Sequence, residues 1–130
     1  MPLIGSLKIK AQVLCGGDFA IGPGKADLME AITREGSIAA AGRVLGMSYR
    51  RAWMLVDTMN RCWTEPLVET TPGGGRAKGA RLTDCGREVL SAFRALERSL
   101  AEAADAHPMR TLEHRLRAEP RAPQPHDSQS

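Results

Sequence analysis

Within seven positions the sequence places Ser48, Tyr49, Arg50, Arg51 and Met54. Hydroxyl and guanidinium groups in one run are donors for phosphate oxygens, and arginine can also pair in a bidentate way with guanine O6 and N7. Further on, the segment Thr71-Pro72-Gly73-Gly74-Gly75-Arg76-Ala77-Lys78-Gly79 holds four glycines and two cations. Such a loop is flexible and basic, suited to lying along a nucleic-acid backbone or in a minor groove. Both groups point to recognition of a polyanion. No nucleophile, base and acid stand in a context that implies catalysis, so neither an enzyme nor a cofactor is expected. The glycine run lacks the Gly-Lys-Ser/Thr ending of a phosphate-binding P-loop, and it is expected to join two strands. His107, His114 and His126 lie near or beyond the end of the fold, with no cysteine or carboxylate cluster fixed beside them, so no metal site is expected.

The elements that must position these groups can be read from periodicity. Leu7, Ile9, Ala11 and Val13 alternate with polar residues, a strand with one buried face. Gly16-Gly17-Asp18 reads as a turn and Phe19–Ile21 as a returning strand. After Gly22-Pro23-Gly24, a helix is expected from about Lys25 to Arg34, stopped by Gly36. Ser37 caps a short helix over Ile38–Leu45, and Gly46 ends it. Ser48 caps the next helix, to about Trp63.

On a helical wheel Ala52, Leu55, Val56, Met59 and Trp63 share one face, while Arg50, Met54, Asp57, Thr58 and Arg61 point away. Trp53 and Trp63 are both expected in the core. Short strands at Leu67–Thr70 and Ala80–Thr83 would carry the glycine loop. A long helix then runs from Thr83 or Asp84 to about Ala106. Its apolar positions Val89, Phe93, Leu96, Leu100 and Ala103 step by four and three, the seam two helices share.

Two short helices with a glycine turn between them, followed by a basic two-stranded wing, describe a winged helix-turn-helix. The fold class expected is mainly α with small β: an N-terminal β-hairpin, the motif, and a long C-terminal dimerisation helix. Gly42 sits where the two helices must cross closely, and Gly46 occupies the turn, where a left-handed backbone suits glycine. Ile38, Leu45, Leu55 and Val56 fill the space behind. The N-terminal half of the second motif helix is the part that reaches base edges in such motifs. Ser37, Ser48, Tyr49, Arg50, Arg51, Met54, Arg76 and Lys78 are therefore the candidate contacts to double-stranded DNA. Arg43 and Arg61 are at most backbone contacts. Val89, Phe93, Leu96 and Leu100 are the candidate dimerisation residues.

Length and charge agree with that reading. The chain has 130 residues and a net charge of +3. From Gly36 to Thr83 there are seven Lys/Arg against three Asp/Glu, a net +4. From Glu88 to the end there are six Arg against seven acids, a net −1. The small total hides a basic middle, where an anionic partner would sit. Residues 1–106 are expected to form one DNA-binding and dimerisation domain, and 107–130 a mostly disordered, Pro-rich tail with room for a helical turn or two over Thr111–Glu119. No apolar run is long enough to cross a membrane and no signal peptide is visible, so a cytoplasmic protein is expected. Cys15, Cys62 and Cys85 are odd in number and widely spaced, which fits buried or free thiols.

The chain also resembles a family. Gly36-Ser37-Ile38, Ala40-Ala41-Gly42, Leu45-Gly46-Met47-Ser48-Tyr49-Arg50-Arg51-Ala52-Trp53, Met59-Asn60, Pro66-Leu67-Val68, the Gly73–Gly79 run and Leu82-Thr83-Asp84-Cys85-Gly86 look like the DNA-binding domain of bacterial ModE-type molybdate-responsive regulators. That domain is related to LysR-type winged helices. The resemblance covers Leu7 to Ala106, and the Ser-Tyr-basic-x-Ala-Trp segment is its most specific part. It implies a homodimer, joined through the first and last helices, on an inverted-repeat operator. The family's recognition-helix role passes to Ser48, Tyr49, Arg50 and Arg51, and its wing role to Arg76 and Lys78.

Full-length members carry a long C-terminal oxyanion-sensing region, whereas only 24 polar, Pro-rich residues follow Ala106 here. No molybdate pocket can be built from them, so a stand-alone DNA-binding form without an oxyanion-sensing domain is expected. The expected function is a sequence-specific transcriptional regulator linked to molybdenum metabolism. A winged-helix protein-interaction module and a thiol-based redox-sensing regulator are the alternatives.

Overall fold

The computed structural model describes residues 3–71 and 79–125; Arg76 and Lys78 of the expected wing lie outside them. The chain opens with strands β1 (Leu3–Ile4) and β2 (Leu7–Lys8), antiparallel around Gly5. A second hairpin follows, β3 (Val13–Cys15) with β4 (Asp18–Ile21), and its register shifts between Val13 and Leu14. The expected single strand over Leu7–Val13 is thus divided. Alternation of side chains sets which face is buried, but a strand also needs a hydrogen-bonded neighbour, and the two ends of this segment find different partners.

Helix α1 (Pro23–Glu35) starts two residues before its expected N-terminus. Pro23 begins the helix, because its fixed φ and missing N–H suit a first turn. Gly36 closes α1 at φ 80°, and its N–H donates to the Ile32 carbonyl at 2.8 Å. Ala26, Leu28, Met29, Ala31 and Ile32 of α1 are fully buried. They form the centre of a core completed by Ile21, Ile38, Val56, Met59, Leu67, Leu82 and Phe93. Each large side chain taken out of water there contributes roughly 1.5–3 kcal/mol.

Helices α2 (Ile38–Val44) and α3 (Tyr49–Cys62) follow, each with the expected serine cap. Strands β5 (Val68–Thr70) and β6 (Ala80–Leu82) are antiparallel neighbours, with Glu69 opposite Arg81. The N–H of Thr71 donates to the Gly79 carbonyl at 2.9 Å, so the two ends of the glycine segment are held together. The architecture is the expected one, mainly α with small β-hairpins, arranged as a winged helix-turn-helix.

Helix α4 (Asp84–Ala104) is capped by Thr83, whose Oγ1 accepts from the Gly86 N–H at 2.9 Å. A Cβ at Gly86 would lie 2.1 Å from the Leu67 carbonyl oxygen, so only glycine lets α4 seat against the start of β5. Arg94 ties α4 to α1: it meets Asp27 at 2.7 Å, Glu30 at 2.6 Å and Glu97 at 2.8 Å. Partial burial pulls the Arg94 pKa down, but the three carboxylates outweigh it and raise it. Glu97 is only 6% exposed, and its second oxygen, Oε2, has no partner among the described residues.

Of the expected dimer seam, Phe93 is 3% exposed within the chain's own core and Val89 packs against it. Leu96 is 42% exposed and Leu100 half-buried. A heptad pattern cannot distinguish an apolar position facing the same chain from one facing a second copy.

The expected tail begins with a helix, α5 (His107–Arg115). Pro108 stands in its first turn, where proline initiates a helix instead of breaking one. Glu113 of α5 accepts the Ser6 N–H at 3.1 Å, joining the N-terminal hairpin to the C-terminal helix. No described helix is long and apolar enough to cross a membrane.

Candidate nucleic-acid interface

The turn between α2 and α3 depends on two glycines. Gly46 has φ 73°, a left-handed conformation that side-chain-bearing residues rarely adopt. A Cβ at Gly42 would stand 3.1 Å from the Ala52 Cβ and 3.4 Å from the Met47 carbonyl oxygen, so α2 and α3 cross at close range. The Met47 N–H donates to the Gly42 carbonyl at 2.9 Å and closes the turn.

Ser48 then starts α3. Its Oγ accepts the Arg51 N–H at 3.1 Å, which leaves its own hydroxyl hydrogen available to an outside acceptor. Ala52, Val56 and Met59 fasten α3 to the core. The opposite side of its N-terminal half is open: Tyr49 is 53% exposed, Trp53 48% and Met54 52%, with Arg50 and Arg51 exposed beside them. Among the described residues neither Arg50 nor Arg51 has an ion-pair partner. Their guanidinium donors therefore face solvent unengaged. Lys25 lies near Arg51, with its Nζ 5.9 Å from the Phe19 ring centre. Partial burial lowers the Lys25 pKa, and the Arg51 charge lowers it further.

The other cations of the basic middle are differently placed. Arg61 is bound to Asp57 one turn earlier at 3.0 Å, a hydrogen bond that raises its pKa. Arg81 meets Glu69 across the β5–β6 ladder at 2.5 Å. Arg43 is exposed at the end of α2. Ser37 is half-buried, and its Oγ accepts the Ala40 N–H at 3.1 Å as the cap of α2.

The structure thus brings Ser48, Tyr49, Arg50, Arg51 and Met54 onto one open surface. Ser37 stands apart as a helix cap, and Arg76 and Lys78 fall outside the described residues. Trp53 corrects an expectation. It lies on the open surface, whereas Trp63 is half-buried and donates through Nε1 to the Ala20 carbonyl at 3.2 Å. The wheel carried the distinction: Trp53 sits roughly a quarter-turn from the centre of the buried face, and Trp63 on it.

Asn60 enters the sequence reading only among the residues that carry the resemblance, with no structural role attached to it. Its Oδ1 accepts the N–H groups of Leu67 at 2.9 Å and Val68 at 3.1 Å, and its Nδ2 donates to the Val68 carbonyl at 3.0 Å. One side chain thereby locks the last turn of α3 to the first strand of the wing. An asparagine in a helix's last turn, shortly before a proline, was the available signal.

No family model matches the chain. Individual proteins do. It is 39% identical over 102 residues to the molybdenum-pterin-binding protein MopA of Rhodobacter capsulatus, covering 78% of this chain and 37% of that protein. It is 47% identical over 78 residues to the molybdenum transport protein ModE of Azotobacter vinelandii, covering 60% of this chain and 29% of the relative. The DNA-binding transcriptional dual regulator ModE of Escherichia coli K12 is 31% identical over 83 residues, 64% of this chain and 32% of its own length.

Among solved structures, ArgP from Mycobacterium tuberculosis aligns with a TM-score of 0.45 and 28% identity over 65% of this chain and 30% of that one. At that score the fold assignment rests on the elements described above. The chain spans about a third of the length of the curated relatives it matches, and over that span it is a homologue of the ModE- and MopA-type molybdenum proteins.

Proposed function

We propose that the chain is a sequence-specific, DNA-binding transcriptional regulator. The observation that carries this reading is the outer face of α3. Two arginines without ion-pair partners among the described residues, a cap hydroxyl and three exposed large side chains occupy the N-terminal half of the second helix of a helix-turn-helix. Arg50 and Arg51 read base edges or hold phosphates, and Ser48 and Tyr49 donate to the backbone. Arg76 and Lys78 extend the contact from the wing. The names of the relatives, molybdenum proteins and a DNA-binding transcriptional regulator among them, support this reading and a link to molybdenum metabolism.

The protein acts as a homodimer on an inverted repeat. Leu96 and Leu100 form the dimer surface, with Val89 at its edge and Phe93 supporting it from beneath. Beside them a groove of about 380 Å³, lined in part by Val13, Ile21, Trp63, Val89 and Leu96, has room for side chains of a second copy.

Selection of bound sequences from a random duplex pool tests the whole reading. An enriched inverted repeat is expected, with binding that weakens steeply with salt, since each neutralised phosphate adds about −0.9 to the log–log slope. A pool that shows no enrichment at low salt would overturn it.

A further inference from the structure

The two strands of the wing are tied to the helix-turn-helix at their base, each by a different device. On β6 the Ala80 N–H donates to the carbonyl of Gly36, in the turn between α1 and α2, at 2.8 Å. On β5 the tie is one side chain. Asn60, half-buried in the last turn of α3, accepts the Val68 N–H at 3.1 Å and donates to the Val68 carbonyl at 3.0 Å. It accepts the Leu67 N–H as well, at 2.9 Å. The carboxamide thus meets one residue of β5 through a donor and an acceptor at once, as a neighbouring strand would. Only asparagine and glutamine carry both on one planar side-chain group. Leu67 and Val68 are themselves buried, which shields these bonds from competing water.

We propose that Asn60 is a positioning residue of the DNA interface, which sets β5, and with it the wing, at a fixed distance and angle from the arginines of α3. This role rests on the DNA-binding reading above. Asn60 and Arg50 stand on one unbroken helix, about 15 Å apart along its axis. The helix therefore carries the position of β5 to the arginines as a rigid spacer. Arg50 and Arg51 on α3 and Arg76 and Lys78 in the wing then meet one duplex as a single pre-formed surface. Two linked contact regions reinforce each other fully only when their spacing matches that of their sites on the ligand. A wing released from α3 would have to be ordered at binding, and its contact would be weakened by that cost. Asn60 itself touches no DNA in this arrangement and acts through the wing.

The test compares Asn60→Ala with the unaltered full chain on the selected duplex, below the melting temperature of both, in the presence and absence of the wing changes Arg76→Ala and Lys78→Ala. N60A is expected to weaken binding several-fold. Its log–log salt slope should be shallower by about 1–2, since each phosphate contact given up removes roughly 0.9. Base preference at the positions read by α3 should be unchanged. In the R76A/K78A background N60A should lower affinity hardly at all, because the contacts it positions are already gone. A merely structural role predicts otherwise: a destabilised fold lowers the active fraction equally in both backgrounds and leaves the slope as it was. N60Q keeps the donor and the acceptor one methylene further out. It should fall between N60A and the unaltered chain, and it carries the same comparison if N60A does not fold.

Equal losses in the two backgrounds would overturn the proposal. So would no loss in either, or an R76A/K78A protein that binds as tightly as the unaltered one. An unaltered chain that binds no duplex at low salt would overturn the DNA-binding reading, and the positioning role with it.

Discussion

Arg94 and Arg50 are the same residue type on two helices of one small protein, and their surroundings could hardly differ more. Arg94 meets three carboxylates at the α1–α4 contact. Arg50 and its neighbour Arg51 meet none among the described residues, though they sit on an ordered, well-capped helix. At the α1–α4 contact Arg94 is neutralised by carboxylates of both helices, and the large aromatic there, Phe93, is buried. The outer face of α3 is left open in charge and in apolar surface alike. The cation that supports packing between helices is neutralised, while Arg50 and Arg51 have no ion-pair partner among the described residues, which is the contrast the proposed function rests on.

Substitutions at the α1–α4 contact should lower stability and those on α3 should lower DNA affinity, with little crossing over. The largest effect is expected for Gly86→Ala, where a methyl group would meet the Leu67 carbonyl. Denaturant unfolding should show a loss of ~3 kcal/mol or more, because backbone cannot yield as a side chain does. Arg94→Ala comes next. It strands the buried Glu97 carboxylate, and a loss of about 2 kcal/mol is expected, below the usual figure for a fully buried pair because Arg94 is partly solvated. A thermal melt no different from that of the unaltered protein would show that the α1–α4 contact is not held by its ion cluster.

Arg50→Ala and Arg51→Ala test the other half. Each should weaken binding to the selected duplex by ~1–3 kcal/mol and relax sequence preference, while unfolding free energy moves by less than about 0.5 kcal/mol. Equal losses on specific and random duplex would reduce both residues to phosphate contacts. Trp53→Ala should have the smallest effect, about 1 kcal/mol of affinity from lost apolar contact with the duplex. Should it instead destabilise the fold as a core tryptophan does, by ~3–5 kcal/mol, the open face would have to be redrawn.

How far these features could be read in advance depended on the range of the interaction behind them. Ser37 and Ser48 were legible as caps because an N-cap bond closes over three residues. Gly36 and Gly46 were legible because a positive φ is a local demand. A proline that serves as an initiator starts α1 earlier than the periodicity suggests, and Pro108 likewise starts α5 ahead of the helical turn or two expected over Thr111–Glu119. Gly86 and Asn60 were not legible as structural positions, since what they touch, Leu67 and Val68, lies on another element. The surface of α3 was largely legible, because a helix's outer residues follow from its period once the buried face is known. Trp53 was the exception, at the edge of that face.

The sequence alone determined the order of the elements, the glycine turn of the helix-turn-helix and the basic stretch centred on α3. These follow from backbone preferences, periodicity and net charge, which are properties of neighbouring residues. Tertiary structure alone decided which arginines are neutralised and which are open, that Phe93 serves the chain's own core, and that Asn60 ties α3 to the start of β5. Each of these depends on groups far apart in the chain, and only packing brings such groups within reach of one another.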